Sequence, residues 1–225
     1  MNKLLLVRHG ENRANLTKEF SHRLVDYPLT TKGRLQAEQT AAYLKRYPVT
    51  QVFSSPLKRA YETAEIIAAE FGGEVSVLEP FRELNVGTLE SQPPTVATWK
   101  QHDDIVRAWA TGNYEARFPE GENYRELVGR VRRGYKAMCR GRSDETLVLV
   151  AHGGSLSLPL LQLIPKLDRE LLQRTVHHNC AVSELEGSLE NGVLHLNLVR
   201  WASATHLYGE AAAFVAGVPG EGDLE

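Results

Sequence analysis

The chain has 225 residues, 42% of them hydrophobic, enough to bury a sizeable core in one large domain or two small ones. Its 26 Lys and Arg against 28 Asp and Glu leave a net charge of -2, which excludes the basic excess that a general nucleic-acid binder needs to displace counterions. The same balance excludes a polyacidic tail or a self-repelling disordered chain. Cys139 and Cys180 cannot build a disulfide framework and neither lies in a C-x-x-C, so both are expected as reduced packing residues of a cytoplasmic protein. The apolar run Leu4-Leu5-Leu6-Val7 is shorter than the roughly 7–15 residues of a secretory core, and no stretch reaches the about 18 of a membrane span. Neither nucleic acid nor membrane is an expected partner.

Residues 3–8 form an almost continuous apolar run ending in His9-Gly10, which suits a strand covered on both faces of a parallel sheet. Thr30-Thr31-Lys32-Gly33 opens a helical pattern carried by Leu35, Ala42 and Leu44 and ended by Pro48. Residues 51–55 predict a second strand. Pro56 then opens a helix whose apolar stripe is Tyr61, Ala64, Ile67, Ala68 and Phe71, closed by Gly72-Gly73. Residues 75–78 predict a third, short strand. From Glu90 to about Tyr124 the pattern loosens around Pro93-Pro94, Trp99 and Trp109; this reads as a lid with one or two short helices and packing tryptophans.

Residues 124–138 predict a helix with Leu127, Val131 and Tyr135 on one face. Residues 146–151 are the clearest strand, running into His152-Gly153, and the apolar stretch after Gly154 reads as helical to Pro165. Residues 180–186 and 193–200 alternate around Glu190-Asn191-Gly192, a hairpin with an Asn-Gly turn. The order of elements predicts an α/β fold: a three-layer open sheet, mainly parallel, with an antiparallel edge hairpin and helices on both faces. One domain is expected over residues 1–207, with the lid at about 90–124, followed by a partly disordered tail over 208–225. The edge strand of the hairpin could pair with a second copy, which makes a homodimer one expectation.

Two predicted strands end the same way, in Arg8-His9-Gly10 and in Ala151-His152-Gly153. In open α/β sheets ligands bind outside the carboxyl ends of the strands. Parallel neighbours would therefore face two imidazoles across one crevice, each followed by a glycine that permits a sharp turn and close backbone approach. A third strand end supplies Ser54-Ser55-Pro56-Leu57-Lys58-Arg59, so Arg8 and Arg59 can enter the same crevice. Two guanidinium forks with two histidines make a cage for a doubly charged oxyanion, and a phosphoryl group is the natural guest.

Arg8-His9-Gly10-Glu11 with Asn15 four residues on, Ser55-Pro56-Leu57-x-Arg59-Ala60-x-x-Thr63-Ala64, and Leu149-Val150-Ala151-His152-Gly153-Gly154 resemble three motifs of the histidine phosphatase superfamily, in its phosphoglycerate mutase-like branch. Phe81-Arg82-Glu83-Leu84-x-x-Gly87-x-Leu89-Glu90 is similar to the segment that supplies the family's acid, although Ser91-Gln92-Pro93-Pro94 stands where a second glycine is usual. Phe118-Pro119-x-Gly121-Glu122 and Thr205-His206-Leu207 resemble further family segments more weakly. The resemblance implies that His9 is the nucleophile and becomes a phosphohistidine. It further implies that Arg8, Asn15, Arg59, His152 and Gly153 hold the phosphoryl oxygens, and that Glu83 protonates the leaving group and then activates water. A carboxylic acid beside a phosphate dianion keeps its proton more tightly, so substrate would help to load it. Neither metal nor cofactor is implied, and the expected partner is a small phosphorylated metabolite.

Glu90 stands as a second candidate for the acid, and phosphoglycerate mutase-type transfer as an alternative to hydrolysis. Gly153-Gly154-Ser155-Leu156-Ser157 is one residue short of a nucleophile elbow, so a serine esterase using Ser155 is a further alternative. A non-catalytic phosphate-binding module is another. His177-His178 is expected at the surface or rim, because adjacent residues rarely point the same way on a regular element.

Overall fold

The structure of the chain is a computed structural model that describes residues 1–165, 167–216 and 218–219. Strands β1 (Asn2–Arg8) and β4 (Thr146–Ala151) are apolar at nearly every position because both faces are covered. Leu4, Leu6, Leu147 and Leu149 belong to one core layer, while Leu5, Val7, Val148 and Val150 belong to the other. With β2 (Val49–Ser54), β3 (Val75–Val77), β5 (Val182–Glu190) and β6 (Val193–Ser203) they make a six-stranded sheet in the order β3-β2-β4-β1-β5-β6. The first four are mutually parallel; β5 joins β1 antiparallel and β6 joins β5 antiparallel. The predicted fold class is thus the observed one.

On one face lie α2 (Thr31–Leu44) and α3 (Lys58–Ala69), which bury Ala41, Leu44, Ala60, Ala64 and Ile67 against the sheet. The Thr30 hydroxyl caps α2 by accepting from the Gly33 N–H, a contact worth about 1 kcal/mol in such positions. On the other face lie α4 (Val96–Ala110) and α5 (Tyr124–Cys139), the latter opened by a reciprocal capping box between Asn123 and Glu126. Leu127, Val131, Tyr135 and Met138 of α5 are completely buried, each contributing roughly 1.5–3 kcal/mol on the usual area scale.

Several elements differ from expectation. The segment expected to hold one or two short helices carries a single helix of 15 residues, α4, started by the Thr95 side chain just after Pro93-Pro94. The helix expected up to Pro165 is two pieces, α6 (Gly153–Ser157) and α7 (Leu160–Leu163), interrupted at Pro159. Two short helices, α1 (Arg13–Thr17) and α8 (Arg169–Arg174), have no periodicity long enough to read. At the hairpin Asn191 and Gly192 both take positive φ, 50° and 79°, as the Asn-Gly turn requires. Past residue 207 the chain continues to pack: Ala211 is buried and its carbonyl accepts from Gln36. Gly217 and residues 220–225, where the tail was expected to fray, lie outside the described residues. Among the described residues no helix is long and apolar enough to cross a membrane.

Candidate active site

Strands β1 and β4 run side by side with Arg8 opposite Ala151, so the next residue on each, His9 and His152, emerges at the same sheet edge. Their ring centroids are 5.1 Å apart. Strand β2 flanks β4 with Ser54 opposite Val150, which delivers Ser55 and the first turn of α3, including Arg59, to the same edge. The loop after His9 is pressed onto the start of α2: a Cβ on Gly10 would lie 2.5 Å from the Gly33 carbonyl oxygen, and one on Gly33 would lie 2.1 Å from that of Glu11. Close backbone contact, rather than a left-handed turn, is what excludes a side chain at Gly10.

The hydrogen bonds fix the tautomer of His9. His9 Nδ1–H donates to the Gly10 carbonyl at 2.7 Å, which places the lone pair on Nε2, where it accepts from Arg59 Nε at 3.1 Å. Burial, reinforced by the Arg59 and Arg8 charges, holds the His9 pKa well below the usual histidine value. His152 is driven the same way by burial and then by Arg59. Its Nε2 lies 2.7 Å from the Ser55 hydroxyl, and its Nδ1 is buried without a partner. Both rings are neutral at pH 7.

Arg59 also donates to the Ser21 hydroxyl and carbonyl at 2.7 and 3.0 Å, and burial lowers its pKa to about 10. Arg8 donates one guanidinium N–H to the His177 carbonyl, while its Nε is buried and unpartnered. The two arginines are only 8% and 3% exposed, yet among the described residues no carboxylate forms an ion pair with either. Two desolvated cations beside two neutral imidazoles, with Glu83 the nearest source of negative charge, make a pocket suited to an anionic ligand.

Glu83 faces this cage with its carboxylate tied to three backbone N–H groups: Leu84 and Ser155 on Oε1 at 2.9 Å each, and Gly154 on Oε2 at 3.1 Å. Gly153 and Gly154 line the cavity beside it, and the Cβ that Gly154 lacks would fall 2.7 Å from Glu83 Oε1. Arg130 braces the same segment, donating to the carbonyls of Pro80, Arg82 and Glu83 while paired through two bonds with Glu122. Asn15 lines the cavity as well. Its Oδ1 is occupied by the Asn12 N–H and by Asn179 Nδ2, so its own amide N–H groups are the ones left to donate.

Glu90 is overturned as the alternative acid. Its Oε1 accepts from four successive backbone N–H groups, those of His22, Arg23, Leu24 and Val25, at 2.5–3.2 Å. That oxygen fixes the loop in which Ser21 holds Arg59, so Glu90 is a positioning residue. Glu90→Ala is expected to lower kcat/KM on the order of 10²-fold, the usual cost of a misplaced reacting group, while Glu90→Gln retains more activity. The shape of the pH–rate profile should be the same in both variants; loss of one limb would return Glu90 to acid–base work.

Ser155 is fully buried and its hydroxyl donates to the Phe81 carbonyl at 3.2 Å, so its oxygen has no imidazole partner and the elbow reading fails. His178 is buried rather than at the rim, with Nδ1 against the Asn179 carbonyl at 2.6 Å, whereas His177 lines the cavity with its ring tilted against Trp201 at 4.9 Å between centroids. Burial and the Arg8 charge lower the His177 pKa to about 3. Glu11 belongs to the scaffold, bonding the Thr30 hydroxyl and Lys32. Sequence reasoning passed over Ser21, Asn179 and Arg130. None has a spacing signal, because each bonds a partner far away in the sequence: Ser21 to Arg59, Asn179 to His9 and Asn15, and Arg130 to the carbonyls of Pro80, Arg82 and Glu83.

The chain matches the model of the histidine phosphatase superfamily (branch 1) over residues 4–199. A probable phosphoglycerate mutase of Escherichia coli is 35% identical over 190 residues, covering 83% of this chain and 85% of that protein. Among solved structures, a phosphoserine phosphatase of Entamoeba histolytica in complex with 3-phosphoglyceric acid superposes with a TM-score of 0.73 at 25% identity, covering 92% of this chain and 100% of that one. A mycobacterial glucosyl-3-phosphoglycerate phosphatase in complex with VO3 gives 0.71 at 27% identity, covering 91% and 100%. The three strand-end motifs that first suggested the likeness lie inside a match spanning most of the chain, which belongs to the histidine phosphatase superfamily.

Proposed function

We propose that the protein hydrolyses a small phosphomonoester through a phosphohistidine on His9. The observation that carries this reading is the pair of buried guanidiniums without a carboxylate partner, set around a neutral imidazole whose free lone pair is on Nε2. Substrate oxygens draw Arg59 off His9 Nε2, and that atom then attacks phosphorus as the bond to the leaving oxygen breaks. Arg8, Arg59, His152 and the Asn15 amide offset the charge on the remaining oxygens, and the Gly153 backbone closes the cage. Glu83 passes its proton to the leaving oxygen. In the second half it takes a proton from the water that attacks the phosphohistidine, releasing phosphate and restoring both groups.

The likeness to a probable phosphoglycerate mutase supports a second reading, in which a substrate hydroxyl replaces water. The two separate in one experiment. Release of inorganic phosphate from p-nitrophenyl phosphate, inhibited by vanadate and passing through an acid-labile phosphoenzyme, is the expected result. Interconversion of phosphoglycerates faster than their hydrolysis would move the assignment to the mutase, and absence of any phosphoenzyme would remove both.

A further inference from the structure

We infer that the alcohol part of the substrate is apolar and elongated and carries no second anionic group; this rests on the phosphatase reading and specifies its substrate class. The cavity in front of His9 has a volume of about 430 Å³, more than a phosphate group needs. Beyond the cage apolar side chains predominate in its lining, among them Phe20, Leu84, Trp99, Val106 and Leu158, with His102 and Ser157 beside them. The only arginines or lysines among the described lining residues are Arg8 and Arg59, both committed to the phosphoryl end. The lining carboxylates are Glu83 and Glu19. A second anionic group on the substrate would leave water without gaining a cation and would meet Glu19.

A second cavity of about 200 Å³ lies against the first, sharing Val106, Ser157 and Leu158 as a common wall. Trp109, Tyr114, Leu161 and Leu172 line its far side. The polar atoms of three aromatic rings around these cavities are already bonded within the protein. Trp99 Nε1 donates to the Lys18 carbonyl at 3.0 Å, Trp109 Nε1 to that of Ala116 at 2.7 Å, and the Tyr124 hydroxyl to that of Leu158 at 2.7 Å. The rings therefore offer flat apolar faces, with Phe20 against Trp99 at 4.4 Å between centroids. Two adjacent, mainly apolar chambers beside one phosphate cage suit a leaving group that is long or aromatic and carries no second anion.

The test compares kcat/KM for ethyl, n-butyl and n-octyl phosphate, 1-naphthyl phosphate, glycerol 3-phosphate and 3-phosphoglycerate, with p-nitrophenyl phosphate reporting phosphatase activity as such. From ethyl to n-octyl phosphate kcat/KM should rise about 100-fold, since each added methylene leaves water for carbon. Naphthyl phosphate should exceed 3-phosphoglycerate by a similar factor. Leu161→Trp, which fills the second chamber, should shrink the octyl-to-ethyl ratio toward that of butyl. Turnover of p-nitrophenyl phosphate with a flat alkyl series, or with 3-phosphoglycerate preferred, would overturn the inference and leave the phosphatase reading standing. No turnover of any of the seven would take down the phosphatase reading itself.

Discussion

His9→Ala is expected to reduce phosphate release by a factor on the order of 10⁴–10⁶, the range seen when a covalent nucleophile is removed and binding remains. The magnitude follows from the role of Nε2. It is the only nitrogen of the ring not bonded to the Gly10 carbonyl, and the partner it has, Arg59, is itself a phosphate ligand in the proposed reaction. An alanine leaves Arg8 and Arg59 in place, so the variant should still bind vanadate or phosphate while no longer forming a phosphoenzyme. Ser155→Ala gives the complementary result: its hydroxyl serves only the scaffold, so activity should stay within about threefold and stability fall by about 1 kcal/mol. A His9→Ala enzyme with wild-type turnover would end the mechanism, and labelling of Ser155 by a fluorophosphonate would reopen the esterase reading.

The second large effect is on stability in acid. His9 and His152 are buried and neutral, with folded-state pKa values lowered from 6.5 by burial and by Arg59. The unfolded chain therefore takes up these protons first as the pH falls. Above pH 7 both states hold neutral rings and the full stability is present. Below about pH 6.5 the unfolded state binds more protons than the folded one, so each of the two histidines removes about 1.4 kcal/mol per pH unit. Together they remove up to about 3 kcal/mol per unit for as long as the folded rings stay neutral, so stability should fall steadily as the pH drops below about 6.5. Urea titrations at pH 7, 5.5 and 4.5 measure the slope. His152→Gln should reduce proton uptake on unfolding by about one. A slope unchanged by that substitution would show that the ring is already charged in the fold.

The sequence carried the site to the extent that chemistry followed long elements. The runs Leu4-Leu5-Leu6-Val7 and Leu147-Val148-Leu149-Val150 could only be strands covered on both faces, and parallel strands put their carboxyl ends together, so His9 and His152 met as expected. Arg59 followed from its motif on the first turn of α3. What stayed hidden depends on irregular backbone. The residues 21–25 have no regular structure, and a carboxylate that gathers four N–H groups leaves no pattern in side-chain type, which is why Glu90 looked like an acid and proved a clamp. The loosely patterned segment from Glu90 to Tyr124 likewise holds a longer helix than its sequence suggests. Pro93-Pro94 precedes a well-capped helix, and Trp99 and Trp109 are both buried, Trp99 also lining the cavity.

The placement of α4 divides labour between two parts of the polypeptide. In the proposed reaction phosphorus would meet atoms supplied chiefly by strand ends and the turns that leave them, while the carbon skeleton of the ester would meet Trp99 and Val106, which hang from an excursion between β3 and α5. Selectivity and reactivity thus have separate addresses, and redesign of residues 95–116 could retune which alcohols are accepted while the machinery that cleaves them is left intact.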